Sequence, residues 1–208
     1  SFPVGNGDKK AAVEELLAIC HEEGIQLLIA PASEQDRAQM LEWFPGRFLI
    51  EGDRNDYDYI YAREKLATLA GKKLHGKRNH IARFKDSGDW SYEPMTAENV
   101  EECRTMTYTW IHMREEKWNE EMNQEISVLH EAFDHMQELG LVGGVLRRDG
   151  QIVAFSIGER LNSETFVVHF EKAYPDLQGA YPMINQQFVL HECEGYAYVN
   201  REEDTGDP

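Results

Sequence analysis

His169 and Glu171 have the residue types and the spacing that proton transfer requires. They close an apolar segment that reads as a β-strand, and residues two apart on a strand point to the same side. A carboxylate or an imidazole within hydrogen-bond reach can take the proton that an amine loses as it attacks a carbonyl. A strand-end salt bridge for Glu171 and a half-buried histidine would explain the same pair without chemistry. Tyr181 and Asn185, in the helical segment that follows, are placed to orient a substrate, although helix packing accounts for Tyr181 equally well. Glu202, Glu203 and Asp204 can bind a cationic group or simply form a solvated acidic tail.

A second concentration of chemistry is electrostatic. The chain carries 38 acidic and 21 basic residues, a net charge of −17. Yet residues 72–85 contain Lys72, Lys73, Lys77, Arg78, Arg83 and Lys85, with His75 and His80 and no carboxylate. A chain this acidic repels polyanions except where such a segment makes a local exception. Lys73, Lys77 and Arg78 can neutralise the phosphates of a tRNA, a CoA or an anionic lipid. They can also belong to an inter-domain helix that pairs with the acidic remainder. Phe84 is the only aromatic residue within the segment, so base stacking on single strands is not indicated, and nothing points to DNA.

Other chemistries lack their residues. The eight histidines are scattered, the three cysteines lie far apart, and no pair has metal-ligand spacing. Cys20, Cys103 and Cys193 read as reduced thiols in or near a core. Neither a Walker loop nor a G-x-S-x-G elbow occurs, which disfavours NTPase and hydrolase readings. No stretch approaches the length of a membrane span and no export signal opens the chain, so a cytoplasmic protein is expected.

These side chains need elements to position them. Asp8 caps a helix with Val13, Leu16, Leu17 and Cys20 in register, stopped by Gly24. Residues 25–30 read as a strand, Ser33 opens a second helix, and residues 47–51 read as another strand. Residues 56–62 are extended, and residues 72–85 form an amphipathic helix with Leu74, Arg78, Ile81 and Phe84 on one face. Beyond them come a strand at 90–93, a helix capped by Thr96, and a helix ending at Gly140. The period then changes. Residues 142–148 and 151–158 form a hairpin around Asp149-Gly150, whose tolerance of positive φ suits a type I′ turn. A third strand covers 164–170, a helix begins at Gly179, and a last strand covers 196–200.

From Trp90 onward this order is the one used by GNAT-type acyltransferases, in which the sheet splays between its fourth and fifth strands and the acyl donor enters the gap. The fold class expected is therefore α/β (α+β), a GNAT-like, mostly antiparallel sheet flanked by helices. Residues 72–81, preceded by Tyr59-Ile60-Tyr61, resemble the hallmark segment of the family named for the C-terminal domain of phosphatidylglycerol lysyltransferases. The resemblance continues through Gly143-Gly144, residues 154–159, residues 169–173, Gly179-Ala180-Tyr181, Ile184-Asn185 and residues 198–204. It spans nearly the whole chain.

That family is similar to tandem GNAT-like proteins and to the Fem-type enzymes that transfer amino acids from aminoacyl-tRNA. The resemblance implies a partial first unit in residues 1–71 and a second in 72–208 that lacks its closing strand. It implies an acyl- or aminoacyltransferase acting on an amine or hydroxyl, with aminoacyl-tRNA or acyl-CoA as donor and no metal. Gly179 would then open a helix whose N–H groups meet a donor phosphate, although the usual glycine-rich pattern is absent. The lysyltransferases join this domain to a membrane-embedded region that these 208 residues do not contain. The alternative is a non-catalytic module that keeps the fold and holds an anionic partner through the cationic helix.

Overall fold

The structure is a computed structural model that describes all residues except 1, 31, 53–56, 115–119 and 203–208, and only the backbone of Glu121. The chain divides into two compact units, residues 1–57 and 58–208.

The first unit holds two helices, α1 (Lys9–Glu23) and α2 (Glu34–Trp43). Asp8 caps α1 by accepting the Ala11 N–H at 3.0 Å, and Gly24 ends it in the left-handed conformation. Ser33 and Asp36 form a reciprocal capping box on α2. Phe2, Val13, Met40 and Phe44 make a small core. Residues 25–30 and 47–51, expected as strands, carry no strand. Their apolar residues suit a pleated surface, but a strand exists only where a neighbour takes its backbone hydrogen bonds. Leu28 and Leu49 are instead left 83% and 86% exposed.

The second unit is built on one sheet of six strands. These are β1 (Ile60–Ala62), β2 (Trp90–Pro94), β3 (Val142–Arg148), β4 (Gln151–Arg160), β5 (Thr165–Ala173) and β6 (Tyr198–Asn200). Their order is β1-β6-β5-β4-β3-β2, with every pair antiparallel except β5 and β6. The sequence assigns β1 and the helix α3 (Arg63–Thr68) to the first unit. Both lie in the second, because Tyr61 pairs with Val199 and Leu66 and Ala67 pack beside Phe166 and Phe188. The hairpin is as expected: Asp149 and Gly150 take φ of 49° and 82°.

Alternation along the central strands supplies apolar residues to both faces. Val145, Phe155 and Ile157 meet α5 (Val100–Met113) and α6 (Glu120–Leu139) through Cys103, Trp110, Leu129 and Phe133. Leu146 and Ala154, joined by Val153 where the β3–β4 register shifts, meet α4 (His75–Asp86) and α7 (Ala180–His191) through Phe84, Met183 and Ile184. The result is a helix–sheet–helix sandwich. Thr96 begins a turn rather than capping α5, which starts at Val100 behind Asn99. Burial pushes the Cys103 and Cys193 thiols up to about 12, consistent with core thiols.

Candidate functional site

The sheet parts between β5 and β6. The two strands run parallel and pair only through Thr165–Tyr198, Phe166–Val199 and Val167–Asn200. Beyond Asn200 the chain keeps its contact with the β1 side: Arg201 N–H donates to Tyr59 O at 3.0 Å, and Tyr59 N–H to Glu202 O at 2.9 Å. β5 meanwhile continues to Ala173 against β4. Its second edge is thus left by β6 after Val167, and α7, the crossover between the two strands, runs along the opening.

Glu171 lies at this opening, within β5 rather than at its end. Its side chain is 9% exposed; Oε2 accepts from Asn185 Nδ2 at 3.0 Å and Oε1 from Arg201 Nη2 at 3.0 Å. The sequence-predicted pair Glu171 and Asn185 is therefore in direct contact. His169 belongs to a different cluster. Its Nδ1 lies 2.8 Å from Glu202 and its Nε2 lies 3.2 Å from Glu159. The register of β4 and β5 shifts between Ile157 and Gly158, and this bulge breaks the alternation that would have put His169 beside Glu171. Hydrogen bonding to Glu202 raises the His169 pKa, with a further contribution from Glu159 and against the effect of burial. Held by two carboxylates, the imidazole is stabilised in its cationic form relative to a free histidine.

Tyr181 starts the first turn of α7 and reaches the same edge. The Tyr174 N–H bonds Val153 on β4 at 3.1 Å, so alternation turns the Ala173 N–H away from β4, and it meets the Tyr181 hydroxyl. Burial raises the phenol's pKa; the Trp110 indole and the Ala173 amide oppose that effect. Trp110 was not among the residues singled out from sequence.

Gly179 is placed at the start of α7 with φ of 89°. A Cβ there would stand 2.3 Å from the His80 carbonyl, so α4 packs directly on this turn. The Ala180 N–H is bonded to Leu177 O at 3.1 Å, and Pro182 has no N–H. Few first-turn donors remain for a phosphate.

On α4 the cations separate into two kinds. Arg78 donates to Gly71 O at 2.9 Å and to Leu69 O, closing the end of α3. Lys73 and Lys77 are exposed, and among the described residues neither forms an ion pair; the same holds for Lys72 and Arg83. A hollow of about 460 Å³ lies at the Arg83 end of α4, lined by Arg83, Asp86, Ser87, Arg148, Leu177 and Gln178. Among the described residues no group of side chains could hold a metal ion, and no helix is long and apolar enough to cross a membrane. Glu203 and Asp204 lie outside the described residues.

The sequence pattern of the phosphatidylglycerol lysyltransferase C-terminal region matches residues 1–206. The chain belongs to that family. It is similar to a conserved protein of unknown function from Bacteroides thetaiotaomicron VPI-5482, at 41% identity and a TM-score of 0.88, covering 99% of this chain and 70% of that one. Its fold is similar to L-PGS from Bacillus licheniformis (TM-score 0.61, 16% identity, 93% of this chain and 59% of that one). It is equally similar to the C-terminal domain of a candidate lysylphosphatidylglycerol synthetase from Agrobacterium fabrum (TM-score 0.62, 16% identity, 97% and 61%). An uncharacterized protein of Mycoplasmoides gallisepticum is 24% identical over 172 residues, 80% of this chain and 54% of its own. The chain thus spans about half the length of that curated relative.

Proposed function

We propose that residues 58–208 form a GNAT-type domain for acyl transfer, and that the opening between β5 and β6 receives an activated carbonyl for transfer to an amine or hydroxyl. The observation that carries this reading is the parting of two parallel strands after Val167, with the buried Glu171 carboxylate at the edge so exposed. Glu171 is the proton acceptor, aligned by Asn185 and released when Arg201 swings aside. His169, bonded to Glu202 and Glu159, shapes the mouth of the opening. Catalysis is mainly by positioning.

Between the two donors considered, an aminoacyl ester of tRNA fits better than a CoA thioester. The first turn of α7 has the Ala180 N–H engaged, a proline at 182 and α4 packed on Gly179, which leaves little to cradle a pyrophosphate. Lys72, Lys73 and Lys77, without ion-pair partners among the described residues, suit a polyanionic donor body.

A binding module without catalysis has one observation in its favour. Arg201 and Glu202 bridge the opening to Glu171 and His169, so side chains close it in this conformation. Thermal shift against an aminoacyl-3′-amino-3′-deoxyadenosine and against desulfo-CoA, followed by transfer from charged tRNA to a panel of amines, separates the readings. The transferase predicts a rise in melting temperature with the adenosine probe alone. It also predicts loss of transfer by about 10²-fold in Glu171→Gln. A response to charged tRNA with no transfer, or transfer unchanged in Glu171→Gln, removes the catalytic assignment.

A further inference from the structure

Trp110 is 1% exposed on α5, and among the described residues its indole N–H has no hydrogen-bond partner. An orphan donor at this depth is destabilising, and the apolar packing of the ring does not require it. The N–H lies beside the Tyr181 hydroxyl, close enough to favour the phenolate, without being aligned into a bond with it. That hydroxyl in turn meets the Ala173 N–H on the β5 edge that β6 leaves open. Two cations sit on the same indole ring, Lys172 Nζ at 4.4 Å and the Arg114 guanidinium at 5.0 Å from its centroid. Lys172 is itself buried and lies 2.5 Å from Glu125. The indole N–H, the phenol and the Lys172–Glu125 pair thus gather beside the open edge of β5, in a place where water is largely excluded.

We infer that Trp110 and Tyr181 form a subsite for the carbonyl oxygen of the group being transferred, and that they hold it more tightly once that oxygen becomes an anion. The inference rests on the acyl-transfer reading above. In the step it serves, a new bond forms from the acceptor's nitrogen or oxygen to the carbonyl carbon, and the C=O π pair moves onto oxygen. The indole N–H and the phenol O–H donate to this oxyanion, with Lys172 and Arg114 stabilising its charge through the ring. Collapse restores the C=O and breaks the bond to the donor's 3′-oxygen, which leaves with the proton that Glu171 took from the acceptor. Donors fixed before reaction cost no reorganisation when the charge appears.

The test compares two probes by calorimetry. One is an alanyl or lysyl amide of 3′-amino-3′-deoxyadenosine, whose carbonyl is planar; the other is its phosphonate counterpart, with a tetrahedral anion in place of that carbonyl. The wild-type chain should bind the phosphonate more tightly. Trp110→Phe and Tyr181→Phe should each lose about 10²-fold on the phosphonate and only about 2-fold on the amide. Equal losses on both probes, or none on the phosphonate, overturn the subsite while leaving the transfer reading intact. If the wild type binds neither probe, the transfer reading falls and the subsite with it. Should Trp110→Phe fail to fold, Tyr181→Phe at the partly buried end of the same site decides the question alone.

Discussion

Asn185 and Arg201 hold the Glu171 carboxylate from two sides, each at 3.0 Å, so the crossover helix and the segment beyond β6 meet on one strand residue. Glu171→Gln removes the charge that Arg201 needs and should lower stability by about 2 kcal/mol in urea denaturation. Arg201→Met should cost less, because that side chain is 30% exposed. The double variant should be less destabilised than the two singles together; strict additivity would mean that the pair is not coupled.

His169 makes stability depend on pH in a direction fixed by its partners. Bonding to Glu202, then to Glu159, raises its folded pKa above the unfolded value of about 6.5. A proton bound more tightly in the fold adds stability that is fully present below about pH 6.5 and is lost as pH rises through the folded pKa. The stability difference between wild type and His169→Asn should therefore shrink as pH rises above about 6.5. A difference that stays constant, or grows with pH, would show that the imidazole is neutral in the fold.

Where α4 crosses the start of α7 there is room for a hydrogen atom at Gly179 and for nothing larger. Gly179 has φ of 89°, and a Cβ would lie 2.3 Å from the His80 carbonyl. Gly179→Ala therefore meets an unfavourable backbone conformation and a backbone clash together, and should cost about 2–4 kcal/mol in thermal melting. Gly150→Ala serves as the control. It shares a positive φ but has open space around it, and should cost about 1 kcal/mol.

Local signals in the sequence were legible where short-range chemistry decides the structure. Asp8, Ser33, Gly24 and the Asp149-Gly150 turn act within a few residues of themselves, and each does in the fold what its type dictates. Residues 25–30 and 47–51 misled because hydrophobic patterning cannot say whether a neighbouring strand is present. The register shift that skips His169, between the Ile157–Phe170 and Gly158–Val168 pairs, was invisible for the same reason: it is a property of two strands, and His169 and Glu171 meet different partners across it. Tyr59-Ile60-Tyr61 joined the later sheet through pairing with residues about 140 positions away, a contact that no local pattern announces. Trp110 looked like a core residue because it is one. Its N–H finds no hydrogen-bond partner among the described residues, which is a matter of packing that no local pattern announces.

The thiols give an inexpensive check on the core. Burial raises both Cys103 and Cys193 to about 12, whereas Cys20 is partly exposed. At about pH 8 the native chain should titrate one thiol quickly with a disulfide reagent, and all three once unfolded. Fast reaction of Cys103 would mean that α5 does not pack on the sheet as described.

The cationic helix separates a binding role from a structural one within four residues. Lys73 and Lys77 are exposed and without ion-pair partners among the described residues, whereas Arg78 closes the end of α3 through Leu69 and Gly71 carbonyls. Lys73→Glu with Lys77→Glu should leave the melting temperature nearly unchanged and weaken binding to an acceptor-stem RNA hairpin by about 10-fold or more. The slope of log affinity against log salt should fall by about 2, one counterion for each lysine that contacts phosphate. Arg78→Gln should do the reverse, lowering the melting temperature while the salt slope holds, because its guanidinium is spent on the Leu69 and Gly71 carbonyls. Equal effects of the two changes on RNA affinity would mean that α4 presents charge to the RNA as a whole, and that Arg78 leaves its carbonyls to take part.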